Sequence, residues 1–223
     1  MFNISYILFI FAKSKLTLAM AISIELLHSD IKSQLKKHNS AFVSPAEIDI
    51  AINKAQYDTL EQVITDYEAG TSRSSADQTM LKYHSFTGTA TERTLPADVF
   101  KVSTVFVSDR EGDILDDKHF NDRLNSVIIP PSAERPIATV YNDGAAKIRI
   151  LPSSDSHKIK YWKNPVSVVF AFTQSNGEIT YNAIGSVSSE FPSSEYNRIL
   201  NRTLKYLSMP AVNADAAALE NNV

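Results

Sequence analysis

Two prolines end the alternating segments that decide the fold of this chain, Lys147-Ile-Arg-Ile-Leu-Pro152 and His157-Lys-Ile-Lys-Tyr-Trp-Lys-Asn-Pro165. Strand side chains alternate between two faces, so the two isoleucines of the first segment share one face. Ile159 and Tyr161 do the same in the second. The pattern predicts a hairpin that turns at the polar residues 153–156 and buries one side. The other side carries four cations: Lys147, Arg149, Lys158 and Lys160.

Four cations on neighbouring strands need an explanation, because like charges placed opposite each other destabilise a strand pair. An acidic neighbour or a polyanion facing the sheet would offset the repulsion. We therefore expect these residues to contact the next subunit of an assembly or to line its lumen. A solvated cationic face is the other interpretation, since surface charges cost little at ordinary salt.

Composition limits the classes of protein that the chain can belong to. Its 223 residues are 43% hydrophobic and 21% charged, which is typical of a globular domain with a core. The net charge of −3 argues against non-specific nucleic-acid binding by the whole surface. The absence of cysteine excludes disulfides, thiolate catalysis and cysteine-based zinc sites.

The N-terminus is apolar but too short to cross a membrane. Residues 7–12 are apolar and Lys13 and Lys15 follow them, whereas a span needs ~20 apolar residues. A signal peptide has its charges first, although Ala19-Met-Ala21 resembles a cleavage site. We expect residues 1–22 to be an extension outside the domain, which reflects either a translation start at Met20 or a signal-like segment.

Three helices are predicted. Apolar residues recur every three or four positions over 23–37, and Ser44, Pro45 and Glu47 form the start signal of a second helix that ends before Gly70. These two helices are expected to form an antiparallel hairpin. A third helix follows Phe191-Pro192 and places its apolar side between residues 196 and 207. The polar residues 71–78 predict a loop.

The segment from residue 95 onward predicts strands. Residues 99–107 are rich in β-branched and aromatic side chains, and Asn142-Asp-Gly144 and Asn176-Gly177 are hairpin turns. We expect an antiparallel meander with a long projecting loop between Val107 and Ile137. The predicted fold is therefore α+β: a single domain over 23–210, followed by a flexible tail over 211–223.

No pattern in the sequence supports catalysis. The histidines are scattered, and there is neither a glycine-rich phosphate loop nor a nucleophile elbow. Asp109, Glu111 and Asp113 resemble the start of a calcium loop, but Ile114 stands where glycine is needed and Phe120 where a bidentate glutamate belongs. We therefore expect no enzyme activity, no cofactor and no metal, and we interpret this acidic run as a solvated loop.

The long connection contains an apolar segment with two prolines, residues 125–132. Ordered loops of this length are usually functional. The segment either covers its own core or docks in an extended form on another subunit. Phe120, Ile128 and Ile129 are the interface candidates of this connection.

Several short segments of the chain, taken in order, resemble segments of virion structural proteins of tailed bacteriophages. The resemblance is to the head–tail connector or ring proteins of short-tailed, crAss-like phages in particular. The resemblance covers residues 44–210. It depends on the helix of residues 44–67 and on four short segments: Leu95-Pro-Ala-Asp98, Gly144 to Pro152, Ile159 to Pro165, and Phe191-Pro192 before Ile199 to Leu207.

The resemblance implies a non-enzymatic subunit of a homo-oligomeric neck ring, stacked on the portal around the DNA channel. It further implies assembly in the host cytoplasm, a final place in the virion, contacts with the portal and other neck or tail proteins, non-specific contact with packaged DNA, and no membrane. The apolar N-terminus keeps a second interpretation open, a secreted or periplasmic binding module.

Overall fold

The computed structural model of the protein describes residues 21–37, 43–71, 75–154, 156–175 and 178–208. The helices are α1 (Ile24–Lys37), α2 (Pro45–Glu68), α3 (Ser75–Met80), α4 (Asp117–Leu124) and α5 (Tyr196–Ser208), with a 3-10 turn at Ser193–Glu195. The strands are β1 (Ala21–Ile22), β2 (Leu81–Thr87), β3 (Glu92–Thr94), β4 (Val99–Val107), β5 (Arg110–Ile114), β6 (Ile137–Asn142), β7 (Ala146–Leu151), β8 (Ser156–Lys163), β9 (Phe172–Ser175), β10 (Glu178–Tyr181) and β11 (Ser189–Pro192). The α+β class is confirmed, as are the N-terminal helices and the C-terminal helix.

Seven strands form the main sheet in the order β2-β8-β4-β5-β6-β7-β3, and two small two-stranded sheets pair β1 with β11 and β9 with β10. All pairs of the main sheet are antiparallel except β5 and β6. The turn at residues 142–144 joins β6 to β7 as predicted. The predicted hairpin between β7 and β8 is wrong, because three other strands lie between them in the sheet.

Short connections show that the main sheet is curled. β2 and β3 lie at opposite edges, six strand positions apart, which would be ~29 Å in a flat sheet. Yet only five residue steps join Thr87 to Glu92, a reach of at most ~18 Å. The Arg93 guanidinium crosses this seam and donates to the backbone carbonyls of Thr87 and Gly88. The sheet is therefore an incomplete barrel.

Curling explains why β7 and β8 still share a core. Ile148, Ile150, Ile159 and Tyr161 are all buried in the barrel interior, so the apolar faces read from the sequence are correct although their strands do not pair. Trp162 points the other way and belongs to the second core, where the barrel packs against α1, α2 and α5. Strand β8 thus separates the two cores.

The start of α2 follows its sequence signal. Ser44 Oγ accepts the backbone N–H of Glu47, and the Glu47 carboxylate accepts the backbone N–H of Ser44 at 2.7 Å. This reciprocal capping satisfies two backbone donors that have no partner inside the helix.

Two segments predicted to be loops, residues 71–78 and the connection between Val107 and Ile137, contain regular structure. Residues 75–80 form α3, since Ala76 and Met80 are buried against the helical core, while residues 72–74 lie outside the described part of the chain. The projecting loop contains β5 and α4. Asp116 caps α4 by accepting the His119 N–H at 2.8 Å. β2 and β3 had no strong sequence signal, since most of their side chains are exposed or half-buried.

The first described residues of the chain are part of the domain. Ile22 is buried and Ala21 pairs with Pro192, so residues 21–22 belong to the domain and not to the predicted extension. The predictions for residues 1–20, for the Asn176-Gly177 turn and for the tail at 211–223 lie outside the described residues. The strands on both sides of that turn, β9 and β10, pair as predicted.

Candidate interaction surfaces

Three of the four predicted cations form ion pairs within the chain. Lys147 Nζ lies 2.7 Å from Asp143, Lys158 Nζ lies 2.8 Å from Asp109, and Arg149 Nε lies 3.7 Å from Glu92. The fourth cation, Lys160, contacts a tyrosine: its ammonium group donates to the Tyr67 hydroxyl at 2.5 Å and lies over the Tyr67 ring.

These ion pairs lower the pKa values of the carboxylates in them. The Lys158 ammonium lowers the pKa of Asp109, and the Lys147 ammonium lowers the pKa of Asp143, in each case through a hydrogen bond and the opposite charge. Because β7 and β8 are not neighbours, the four side chains do not form one cationic face. The repulsion that favoured an external partner is therefore absent.

The three apolar interface candidates differ in exposure. Phe120 is only 2% exposed, so it packs inside the chain and is not available to a partner. Ile129 is half-buried. Ile128 is 90% exposed, and its neighbour Val127, which was not among the predicted interface residues, is 95% exposed. We call Val127 and Ile128, with the exposed Leu124 at the end of α4, the apolar tip.

Hydrogen bonds hold the loop that presents the apolar tip. Ser126 N donates to the Arg123 carbonyl at 3.2 Å, and Ser126 Oγ accepts the Ile129 N–H at 3.0 Å. Beyond the tip, Ser132 and Arg135 exchange two backbone hydrogen bonds. The segment therefore has a defined conformation on both sides of its exposed side chains.

The base of this loop is tightly packed. A Cβ placed on Gly112 would lie 2.6 Å from the Pro136 carbonyl oxygen and 2.9 Å from Pro136 Cγ. Only glycine lets β5 approach the chain at the start of β6, where Asp113 pairs with Ile137. This close approach fixes where the loop returns to the sheet.

A second apolar surface lies between β8 and β11. Val169 and Val187 oppose each other in an antiparallel bridge, with hydrogen bonds of 3.1 and 2.9 Å, so their exposed side chains share one face. We call this exposed pair, Val169 and Val187, the valine face.

A polar ladder on α2 holds residues 166–170, the segment that carries Val169. Asp49 accepts the Phe170 N–H at 3.0 Å, Asn53 exchanges two hydrogen bonds with the Val168 backbone, and Gln56 donates to the Val166 carbonyl at 3.4 Å. The signal for this ladder was present in the sequence: polar residues at spacings of four and three interrupt the buried side of α2.

Two open grooves flank the helices. One of about 650 Å³ lies between α2 and α5 and is lined by charged and polar side chains, among them Asp58, Glu61, Arg202 and Tyr206. The other, of about 530 Å³, lies between α1 and the β9–β10 hairpin and includes His28 and Phe170. The second groove is also lined by Glu25 and Ser29, and its His28 ring is held by the Asp49 carboxylate, 2.8 Å from Nε2, and by stacking on Phe170.

The described residues contain no group of three or more histidines and carboxylates arranged to hold a metal ion. In the expected acidic run, Asp109 pairs with Lys158, and Glu111 and Asp113 lie on strand β5. None of the described helices is long and apolar enough to cross a membrane.

Comparison with known proteins adds no relative. No protein-family model matches the chain, and no curated protein is significantly similar to it.

Proposed function

We propose that the chain is a non-enzymatic structural subunit of a virion, which joins copies of itself into a head–tail connector (neck) ring on the portal, around the DNA channel. The observation that carries the proposal is the apolar tip. Val127 and Ile128 are 95% and 90% exposed on a loop whose conformation is held by its own hydrogen bonds. Exposed apolar side chains on an ordered loop lose little further freedom when they dock on a partner.

The tip, and not the cations, is proposed as the main contact. Lys147, Arg149 and Lys158 already pair with carboxylates of their own chain. They keep a secondary role, as contacts to neighbouring subunits or to DNA in the lumen. The proposed assignment to a phage depends on the resemblance of the short sequence segments between residues 44 and 210, taken in their order along the chain.

Sedimentation and electron microscopy of the full chain test the proposal, alone and mixed with the portal protein encoded by the same genome. Closed rings, or rings nucleated by the portal, are the expected result. A chain that stays monomeric at every concentration with and without the portal contradicts it. If that monomer is also exported and processed near Ala21, the secreted or periplasmic binding module takes its place.

A further inference from the structure

We propose that the outer edge of strand β2 is a docking site for an extended strand, and that residues 2–8 of a neighbouring copy supply this strand. The contact is additional to the apolar tip. It rests on the proposed ring function, which supplies the neighbouring copy.

Strand β2 is an edge strand with one unpaired side. Its seven residues, Leu81–Thr87, pair with β8 along their whole length, and no other described strand pairs with them. The strand at the other edge of the curled sheet, β3, has only three residues and pairs with β7. A long edge strand presents a row of free backbone N–H and C=O groups, which is a template for pairing with another chain.

Arg93 indicates which backbone groups of β2 point away from β8. Its guanidinium reaches the strand from the β3 side of the seam and donates to the Thr87 carbonyl at 2.9 Å. A residue of an antiparallel strand directs its N–H and C=O to the same side, and this direction repeats every second residue. The backbone groups of Tyr83 and Ser85 therefore point to the same side as the Thr87 carbonyl, toward the open edge.

The barrel interior is also open along β2. His84 and Phe86 lie opposite Ile159 and His157 on the interior face, and both are half-buried, whereas their two partners on β8 are 0% exposed. On the outer face, Tyr83 is 66% exposed. A strand added at this edge would place every second side chain against the barrel core and the others in solvent. The edge therefore fits a strand in which apolar and polar residues alternate.

The chain itself contains such a segment. Residues 2–6, Phe2-Asn-Ile-Ser-Tyr6, alternate apolar with polar side chains, and the apolar ones are aromatic or β-branched, as strands favour. They precede the described residues, which begin at Ala21. The opposite end of the chain, residues 211–223, is rich in alanine and asparagine, which are depleted in strands.

The connection between donor and domain is long enough for exchange between copies. The steps from residue 8 to Ala21 reach about 43 Å when extended. Donor and edge are different segments of the chain, so their contact is heterologous. Heterologous contacts generate rings when the rotation closes.

The absence of cysteine from the chain allows a direct cross-linking test. Ser5→Cys, Ser85→Cys and Asn201→Cys, a control at an exposed position of α5, are made singly in the full chain and mixed in pairs with a flexible bis-maleimide. We expect a covalent dimer from Ser5→Cys with Ser85→Cys, and none from either with Asn201→Cys. A double variant Ser5→Cys/Ser85→Cys that cross-links only within one chain would show that the segment completes its own barrel, and would overturn the inference.

Proline substitutions give an independent readout. Ser85→Pro removes an N–H at the outer edge without removing a hydrogen bond to β8, and edge strands accept proline. Ile4→Pro acts on the donor. Each should weaken assembly by about tenfold, the effect of one lost hydrogen bond of ~1.4 kcal/mol, whereas the controls Ser85→Ala and Ile4→Val should leave it unchanged. Circular dichroism checks folding, and Ile4→Pro, which lies before the domain, carries the test if Ser85→Pro does not fold.

The outcomes separate this contact from the ring function. Rings that form alike from the native chain and from Ile4→Pro, with no cross-link between Ser5→Cys and Ser85→Cys, would overturn the strand contact and leave the ring function standing. A native protein that begins at Met20 or Ala21 lacks the donor and would do the same. A chain that stays monomeric with and without the portal, and gives no such cross-link, would overturn both.

Discussion

The Nε2 atom of His28 lies 2.8 Å from Oδ1 of Asp49, and this contact joins helix α1 to helix α2. The other oxygen of the same carboxylate accepts the Phe170 N–H at 3.0 Å. The His28 ring, 1% exposed, stacks on the Phe170 ring with their centroids 4.2 Å apart. One carboxylate therefore connects two helices and the segment that carries Val169.

Replacing Asp49 by alanine should destabilise the protein by about 2–4 kcal/mol, because the His28 and Phe170 donors would lose their acceptor in a buried site. Asp49→Asn keeps one acceptor oxygen and should lose about half as much. Urea unfolding followed by the fluorescence of Trp162, the single tryptophan, measures both. The exposed Glu111→Ala serves as control, and a loss no larger than that of the control would show that the carboxylate is not the connection described.

The helices of this fold were predictable because their signals are local. Ser44, Pro45 and Glu47 specify the start of α2 within four residues, and the structure shows the cap that they predict. The alternation in β7 and β8 also identified the right apolar faces, since Ile148 and Ile159 are both buried. Local patterns decide which side of an element is buried.

The pairing of strands was not predictable in the same way. The sheet to which both strands belong is curled. For this reason β7 and β8 bury residues in one core although they are not neighbours in the sheet. The cationic face failed for the same reason, because it required those strands to be adjacent. The carboxylates that pair with Lys158 and Arg149 are 49 and 57 residues away in the chain, so no local sequence pattern predicts these ion pairs.

Gly112 and Gly144 should respond differently to substitution by alanine. At Gly112 the new Cβ meets the Pro136 backbone at 2.6 Å, and this overpacking should cost about 1–3 kcal/mol and loosen the base of the tip loop. At Gly144, with φ of +68° and nothing within 4 Å, only backbone strain applies, about 1 kcal/mol. Urea unfolding of both variants measures the difference. Equal losses would show that the contact with Pro136 relaxes without cost.

The first turn of α4 should show a pH dependence. The Asp116 carboxylate, hydrogen-bonded to His119 Nδ1 at 2.7 Å, raises the pKa of His119 above its ordinary value of 6.5. The stabilisation from His119 is therefore complete below pH 6.5 and is lost as the pH rises through the raised pKa. The pKa of Asp116 is lowered below 3.8 by the His119 backbone and side chain, so its contribution is present above 3.8 and is lost as the pH falls through the lowered value.

NMR titration of the histidine ring protons checks this shift. Asp116→Asn should return the pKa of His119 toward 6.5, because it removes both the hydrogen bond and the charge. Asp122→Asn is the matched control, since Asp122 acts on His119 only through a smaller charge effect. If both variants change the titration of His119 equally, the hydrogen bond to Asp116 does not determine it.

Salt should separate the two explanations of assembly. Burying two apolar side chains contributes about 1.5–3 kcal/mol each, and their sum is close to the ~4.1 kcal/mol of a millimolar contact. A single contact through the apolar tip is therefore weak, and a closed ring, in which every copy makes two contacts, is needed for stability. Sulfate salts strengthen apolar contacts, whereas salt screens contacts between charges. Sedimentation in rising sodium sulfate should show equal or stronger assembly of the native chain. Assembly that weakens with salt, and that is lost in Lys147→Glu/Lys158→Glu, would assign the contact to the cations instead of the tip.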